Sequence, residues 1–94
     1  MKKHALLTDS ELQEGLKALV GWTVEDDKWL SKKYLFPTFP EAIAFVNKVA
    51  LHAEQVQHHP FISIDYRRVT LRLTTWSSGG LTKLDINSAM AYDL

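Results

Sequence analysis

Cysteine is absent from this 94-residue sequence, which excludes disulfides, thiolate catalysis and thiolate metal sites together. An excess of either charge is also absent, because 11 Lys and Arg residues balance 11 Asp and Glu residues. The overall charge therefore directs the chain to neither nucleic acid nor an anionic membrane. Long apolar runs are missing too, so no segment could span a bilayer, and residues 5–7 are too few for a signal-peptide core. We expect one cytoplasmic domain over residues 1–94.

Helix and strand patterns alternate along the chain. Capping signals at Thr8, Thr38 and Thr82 predict three amphipathic helices, the first of which ends at Gly21. Period-two alternation and flanking turn residues predict four strands, which cover residues 22–24, 29–36, 61–66 and 69–76. Each of the last two strands is expected to have one buried face. Short hairpins favour an antiparallel four-stranded sheet, so the order helix, two strands, helix, two strands, helix predicts an α+β fold with the helices on one sheet face.

The most informative stretch lies at the end of the middle helix and reads Glu54-Gln55-Val56-Gln57-His58-His59-Pro60. Because Pro60 restricts the residue before it to extended backbone, we predict that His58 is the last helical residue. Glu54 precedes His58 by four residues and should share its helix face. The helix macrodipole also favours a cation at this end. Together these influences predict that His58 holds a proton, as a general acid must.

Plainer readings exist for the same residues. A histidine at a helix C-terminus can simply cap carbonyl groups, and no carboxylate–histidine spacing here matches a zinc site. Gly79-Gly80 before the last helix could cradle a phosphate, but it lacks the full phosphate-loop spacing and is predicted to be a turn. Trp76 ends a strand on its more polar face, which is an unusual position for a purely structural tryptophan.

Read together, these residues resemble the pterin-4a-carbinolamine dehydratase family. The family signature combines an acidic or polar residue, His-His-Pro, an aromatic residue, a His or Trp, and an Asp at set intervals. The corresponding residues here are Glu54, His58-His59-Pro60, Tyr66, Trp76 and Asp85. The likeness covers essentially the whole chain. The fold that it implies, a four-stranded antiparallel sheet with three helices on one side, agrees with the order of elements read above.

The resemblance implies an enzyme that removes water from 4a-hydroxytetrahydropterin to give quinonoid dihydropterin. This reaction serves tetrahydrobiopterin recycling after an aromatic amino acid hydroxylase, needs no metal or organic cofactor, and is expected from a homodimer or homotetramer. His58 is the leading general acid/base, Glu54 positions it, and His59 orients the pterin, although the reverse assignment of the two imidazoles stays open. The implied substrate-binding residues are Gln57, Pro60, Thr74, Thr75, Trp76, Ser77 and Asp85. For Asp85, a role as the capping partner of Thr82 is an equal alternative.

Two positions depart from the family pattern. Trp76 stands where many members have histidine, and Gln57 where they often have aspartate. Tryptophan can stack on a flat heterocycle but cannot exchange a proton near neutral pH, so we expect retained activity carried by the remaining groups. The alternatives are a non-catalytic dimerisation or adaptor module, like relatives that serve a homeodomain transcription factor, and an altered paralogue linked to molybdopterin metabolism.

Overall fold

The computed structural model describes residues 4–94. The predicted α+β fold is confirmed, with three helices and a four-stranded antiparallel sheet in the expected order. The elements are α1 (Asp9–Leu16), β1 (Thr23–Glu25), β2 (Trp29–Leu35), α2 (Phe39–Val56), β3 (Phe61–Asp65), β4 (Arg68–Leu73) and α3 (Lys83–Tyr92). A 3-10 turn at Trp76–Ser78 precedes α3. No helix within residues 4–94 is long and apolar enough to cross a membrane.

The sheet has the strand order β1-β2-β4-β3, so β2 and β4 form its centre. On β4 the side chains of Val69, Leu71 and Leu73 are fully buried, while the residues between them lie on the outer face. The predicted alternation of β4 is therefore confirmed. The predicted apolar stripe of α2 also packs inward: Ala42, Val49 and Ala53 are buried, and Ala42 and Val49 belong to the hydrophobic core.

The prediction of a buried face on β3 is wrong. Within residues 4–94 this strand pairs only with β4 and forms an edge of the sheet, and all five of its residues are exposed. Period-two alternation predicts which side chains lie on the same face of a strand. Whether that face is buried depends on whether another element packs against it. The apolar side chains Phe61, Ile62 and Ile64 are consequently left at the surface of the protomer.

Helix α1 is shorter than predicted. Its capping box at Thr8 and Glu11 forms as expected, but the helix ends at Leu16 rather than continuing to Gly21. The following residues form tight turns, in which the Lys17, Ala18 and Leu19 amides bond carbonyls three residues earlier. These turns place Leu19 in the core, and Gly21 then adopts a positive φ of 86° to turn the chain into β1.

The C-terminal end of α3 is fastened to the sheet through Asp93. Its carboxylate accepts hydrogen bonds from Trp22 Nε1 at 2.9 Å, Lys32 Nζ at 3.0 Å and Tyr34 Oη at 2.6 Å. Partial burial acts to raise the pKa of Asp93, but these donors outweigh it and the pKa is lowered overall. The pKa of Tyr34 is raised, by burial first and then by its hydrogen bond to Asp93. The ionised carboxylate thus stabilises the native position of α3.

Candidate functional site

The end of α2 sets the directions of the two adjacent histidines. Gln57 adopts a left-handed conformation with φ of 52°, and the His58 amide bonds the Ala53 carbonyl at 3.1 Å. This is the Schellman arrangement, in which the chain reverses immediately after the helix. The helix therefore ends at Val56, and the prediction that His58 is the last helical residue is wrong. Because of the reversal, His58 and His59 leave the helix end on different sides.

His58 turns inward and meets the first turn of α3. Its Nε2 atom lies 2.6 Å from Oδ1 of Asp85, and the exposed fractions are 9% for His58 and 0% for Asp85. An ionised carboxylate only accepts hydrogen bonds, so Nε2 carries the proton that is shared with Asp85. The other ring nitrogen, Nδ1, has no hydrogen-bond partner among residues 4–94. The buried pair thus fixes the orientation of the imidazole and leaves Nδ1 available for proton exchange.

A chain of hydroxyl groups supports Asp85 from behind. Oδ2 accepts from Thr75 Oγ1 at 2.8 Å and from the Thr82 amide at 2.9 Å. Since the single Thr75 hydroxyl proton goes to Asp85, the 2.8 Å contact between the two threonine hydroxyls must have Thr82 as its donor. Asp85 is therefore both the capping partner of Thr82 and the hydrogen-bond partner of His58, so its predicted capping role is confirmed, while its buried side chain does not line the cleft as a substrate-binding residue would. The directed hydrogen bonds hold the carboxylate in one position.

His59 forms a second, exposed pair. Its Nε2 atom lies 2.5 Å from Oε2 of Glu54, and both side chains are more than half exposed. The prediction that Glu54 pairs with His58 is wrong, because the reversal at Gln57 returns His59, not His58, over the last helical turn. Each imidazole is thus bound to a carboxylate through Nε2, one inside the protein and one at its surface.

An open cleft of about 440 Å³ lies beside both histidines. Most of the predicted binding residues line it together with the two imidazoles: Gln57, Pro60, Thr74, Trp76 and Ser77. Three predicted site residues lie behind this lining instead: Thr75 and Asp85 support His58, and Glu54 supports His59. A second recess of about 310 Å³ between α1 and α3 has no imidazole in its lining.

Aromatic side chains form one wall of the cleft. Trp76 is 70% exposed, and its ring lies 6.1 Å from that of Phe61 and 5.4 Å, edge to face, from that of Trp29. Neither Phe61 nor the supporting Thr82 was predicted as part of the site. Phe61 could have been found, because it directly follows Pro60 on the strand that leaves the histidines. Tyr66 of the sequence signature lies at the far end of β3 and stacks on Phe39, at a centroid distance of 6.3 Å.

The chemistry available here is proton transfer. Two carboxylate-paired imidazoles beside a cleft with an exposed indole can give and take protons on either side of a flat ligand. Within residues 4–94 no three His, Cys, Asp or Glu side chains come together as a potential metal site. Fold and site together define an α+β domain with two imidazole–carboxylate pairs beside a cleft, at the junction of α2, β3 and α3.

Comparison with known proteins gives the family. The model of the family described as pterin 4 alpha carbinolamine dehydratase matches residues 5–94, and the chain belongs to this family. A protein from Roseiflexus sp. (strain RS-1) has the provisional name pterin-4-alpha-carbinolamine dehydratase. Its sequence is 47% identical to this one, over 93% of this chain and 92% of its own length. A relative from Koribacter versatilis with the same provisional name is 52% identical over 88% of this chain and 87% of its own.

Solved structures agree with this result. The crystal structure of a transcriptional coactivator/pterin dehydratase from Brucella melitensis superposes with a TM-score of 0.89 at 38% identity, over 94% of this chain and 95% of that one. A pterin dehydratase-like protein described as a RuBisCO assembly factor of the alpha-carboxysome has a TM-score of 0.67 at 20% identity, over 81% and 89% of the two chains. The second likeness concerns the fold alone.

Proposed function

We propose that this protein is a dehydratase that converts 4a-hydroxytetrahydropterin to quinonoid dihydropterin and water. The observation that carries the proposal is the double pairing His58–Asp85 and His59–Glu54 beside one cleft. Each carboxylate fixes one ring nitrogen of its histidine and leaves the other for the ligand. The family to which the chain belongs supplies the substrate class.

The reaction is an elimination that leaves the oxidation state of the whole molecule unchanged. The C4a–O bond breaks as the departing hydroxyl takes a proton to become water, and the neighbouring ring nitrogen loses a proton as its double bond to C4a forms. We assign the first proton to Nδ1 of the protonated His58. Asp85, at 2.6 Å from Nε2, stabilises the imidazolium form that must donate it. Because no electrons leave or enter the molecule, the step requires no redox cofactor.

His59 is assigned to binding and orientation of the pterin, and to acceptance of the nitrogen proton. Its exposed pair with Glu54 suits a group that must exchange protons with water after each turnover. Trp76 presents its indole to the cleft and can stack on the pterin ring. The roles of the two imidazoles could be exchanged, and separate substitutions of the two residues distinguish the alternatives.

The finer biological role belongs to the same proposal. Recycling of tetrahydrobiopterin in the cytoplasm, after an aromatic amino acid hydroxylase, follows from the family resemblance. Self-association is supported by the exposed edge strand β3, whose apolar side chains Phe61, Ile62 and Ile64 have no cover within the described protomer. We expect a homodimer or homotetramer by light scattering. A protein that is still monomeric by light scattering at a concentration of about 100 µM would contradict this part of the proposal.

The test is the rate of dehydration of freshly generated 4a-hydroxytetrahydropterin, measured above the spontaneous background. The proposal predicts acceleration by the wild type and its loss in the double variant His58→Gln, His59→Gln. Glutamine keeps an amide donor toward each carboxylate while removing the exchangeable ring proton. A folded wild type that does not exceed the background would overturn the dehydratase assignment and favour the adaptor or altered-paralogue alternatives.

A further inference from the structure

The aromatic wall of the cleft continues onto the outer face of the sheet, away from the helices. Trp29, Phe61 and Trp76, here called the aromatic cluster, lie within 5.1 to 6.1 Å of one another, measured between ring centroids. Phe61 and Trp76 are 51% and 70% exposed, and both also line the cleft. The cluster therefore forms a continuous apolar path from the imidazoles to the sheet surface.

Arg72 lies at the outer end of this path. Its guanidinium carbon is 4.2 Å from the centroid of the Trp29 ring, and its Nε donates to Glu25 at 3.0 Å. Residue pairing places Arg72 directly opposite Phe61 across the β3–β4 ladder. The terminal guanidinium nitrogens make no hydrogen bond with residues 4–94. Stacking and the Glu25 contact fix the plane of the guanidinium, so its remaining donors are oriented rather than mobile.

A ligand whose flat ring occupies the cleft must direct any substituent out through the open side. On the path described above, that substituent meets aromatic carbon surface first and an oriented cation next. A short polyhydroxylated chain would find few hydrogen-bond partners on three aromatic rings. An aromatic segment that ends in carboxylates would stack on the aromatic cluster and then reach Arg72, because guanidinium and carboxylate geometries match.

We propose that the aromatic cluster and Arg72 form a subsite for an aromatic, acid-terminated substituent on the pterin. This inference rests on the proposed function, since it assumes that a pterin ring occupies the cleft. The charges on the outer sheet face agree with it: Lys33, Arg68 and Arg72 are cationic there, whereas Glu25 and Asp65 are the anionic residues. The subsite would favour an acid-terminated aromatic substituent over the short side chain of biopterin, so on this inference the recycled pterin differs from tetrahydrobiopterin while the imidazoles act on the common ring.

The experiment compares three stable probes by isothermal titration: unsubstituted pterin, biopterin and pteroylglutamate. We expect pteroylglutamate to bind the wild type at least about fivefold more tightly than pterin, because one exposed charge pair contributes up to about fivefold and stacking on the aromatic cluster adds to it. Higher salt should reduce this ratio, because the contact is exposed to solvent. Arg72→Gln should lower this ratio by up to about fivefold and remove its dependence on salt, while the part due to stacking on the aromatic cluster remains.

Arg68→Gln is the matched control. Arg68 is on the same strand and the same face as Arg72, but lies four residues earlier and so about 13 Å further from the aromatic cluster. The control should keep the preference for pteroylglutamate. Equal binding of pterin and pteroylglutamate, a preference for biopterin, or a preference that Arg72→Gln leaves unchanged would each overturn the subsite while leaving the proposed function intact. Failure of folded protein to bind any of the three probes would overturn both.

Discussion

Substitution of Asp85 by asparagine probes the buried pair most sharply. The carboxylate accepts three hydrogen bonds, one from His58 on Oδ1 and two, from Thr75 and the Thr82 amide, on Oδ2. Asparagine keeps one acceptor oxygen and introduces an NH2 group. If the NH2 group pointed toward Thr75 and Thr82, it would face two hydrogen-bond donors and could accept from neither. If it pointed toward His58, it would face one donor. The amide should therefore point its NH2 at His58, and Nε2 of the imidazole must then become an acceptor.

Two measurable effects follow. Loss of a buried charge-assisted hydrogen bond should lower the free energy of unfolding by about 2 kcal/mol, which for a domain of this size lowers Tm by roughly 8–16 °C. The forced change of tautomer places the proton on Nδ1 and removes the carboxylate that stabilises the imidazolium. We therefore expect kcat for dehydration to fall by roughly 10²–10⁴ fold. Urea unfolding and the dehydration assay, run on the same preparation, measure the two effects.

Glu54→Gln is the control, because it makes the same chemical change in the exposed pair with His59. An exposed pair contributes less, so its free energy of unfolding should change by under about 1 kcal/mol. Folded Asp85→Asn protein that dehydrates the substrate at the wild-type rate would refute the assignment of His58–Asp85 as the acid/base pair. Equal loss of stability in the two variants would refute the ranking of the pairs by burial.

Three further predictions concern other parts of the molecule. Asp93→Asn should lower the stability near neutral pH by about 1 kcal/mol or more. Because the pKa of Asp93 is lowered in the folded state, the wild type should lose this stabilisation as the pH falls below about 4 and through the lowered pKa. Urea unfolding of wild type and Asp93→Asn at pH 7 and pH 3 measures the loss. The same difference in free energy of unfolding at both pH values would contradict the prediction. Gln57→Gly should raise the free energy of unfolding by about 0.5–1 kcal/mol, since Gln57 has a positive φ, and a lower Tm would count against this. Trp76→Ala should raise KM about tenfold with little change in kcat, because stacking of a flat ring on an aromatic side chain contributes mainly to binding; a loss confined to kcat would point to a different role.

Much of the fold could be predicted because local patterns and tertiary packing agree. The apolar stripe of α2 and the alternation of β4 both describe the buried core, and the capping boxes at Thr8 and Thr82 form as the sequence indicates. The edge strand β3 shows the limit of this approach. Its alternation is as regular as that of β4, yet all five of its residues are exposed in the described part of the chain, because strand order is a property of the whole sheet and places β3 at an edge.

Most of the predicted site residues lie together around one cleft, but the imidazole–carboxylate pairs among them differ from the prediction. Helical spacing placed Glu54 beside His58, and this failed because a non-glycine residue, Gln57, adopts the left-handed conformation and reverses the chain. The true partner of His58 is 27 residues away, and the contact depends on how α3 packs against the end of α2. Asp85 was predicted as a substrate-binding residue or, equally, as a capping partner, and only the tertiary structure shows that one carboxylate serves both the helix start and the imidazole.

The most direct test of the central claim is a comparison of kcat and KM for dehydration by His58→Gln and His59→Gln. If the buried pair supplies the essential acid, His58→Gln should lose roughly 10²–10⁴ fold in kcat, while His59→Gln should show the larger rise in KM. Folding of both variants is checked by circular dichroism. A His58→Gln variant with wild-type kcat, together with an inactive His59→Gln variant, would contradict the claim and transfer the acid/base role to the exposed pair.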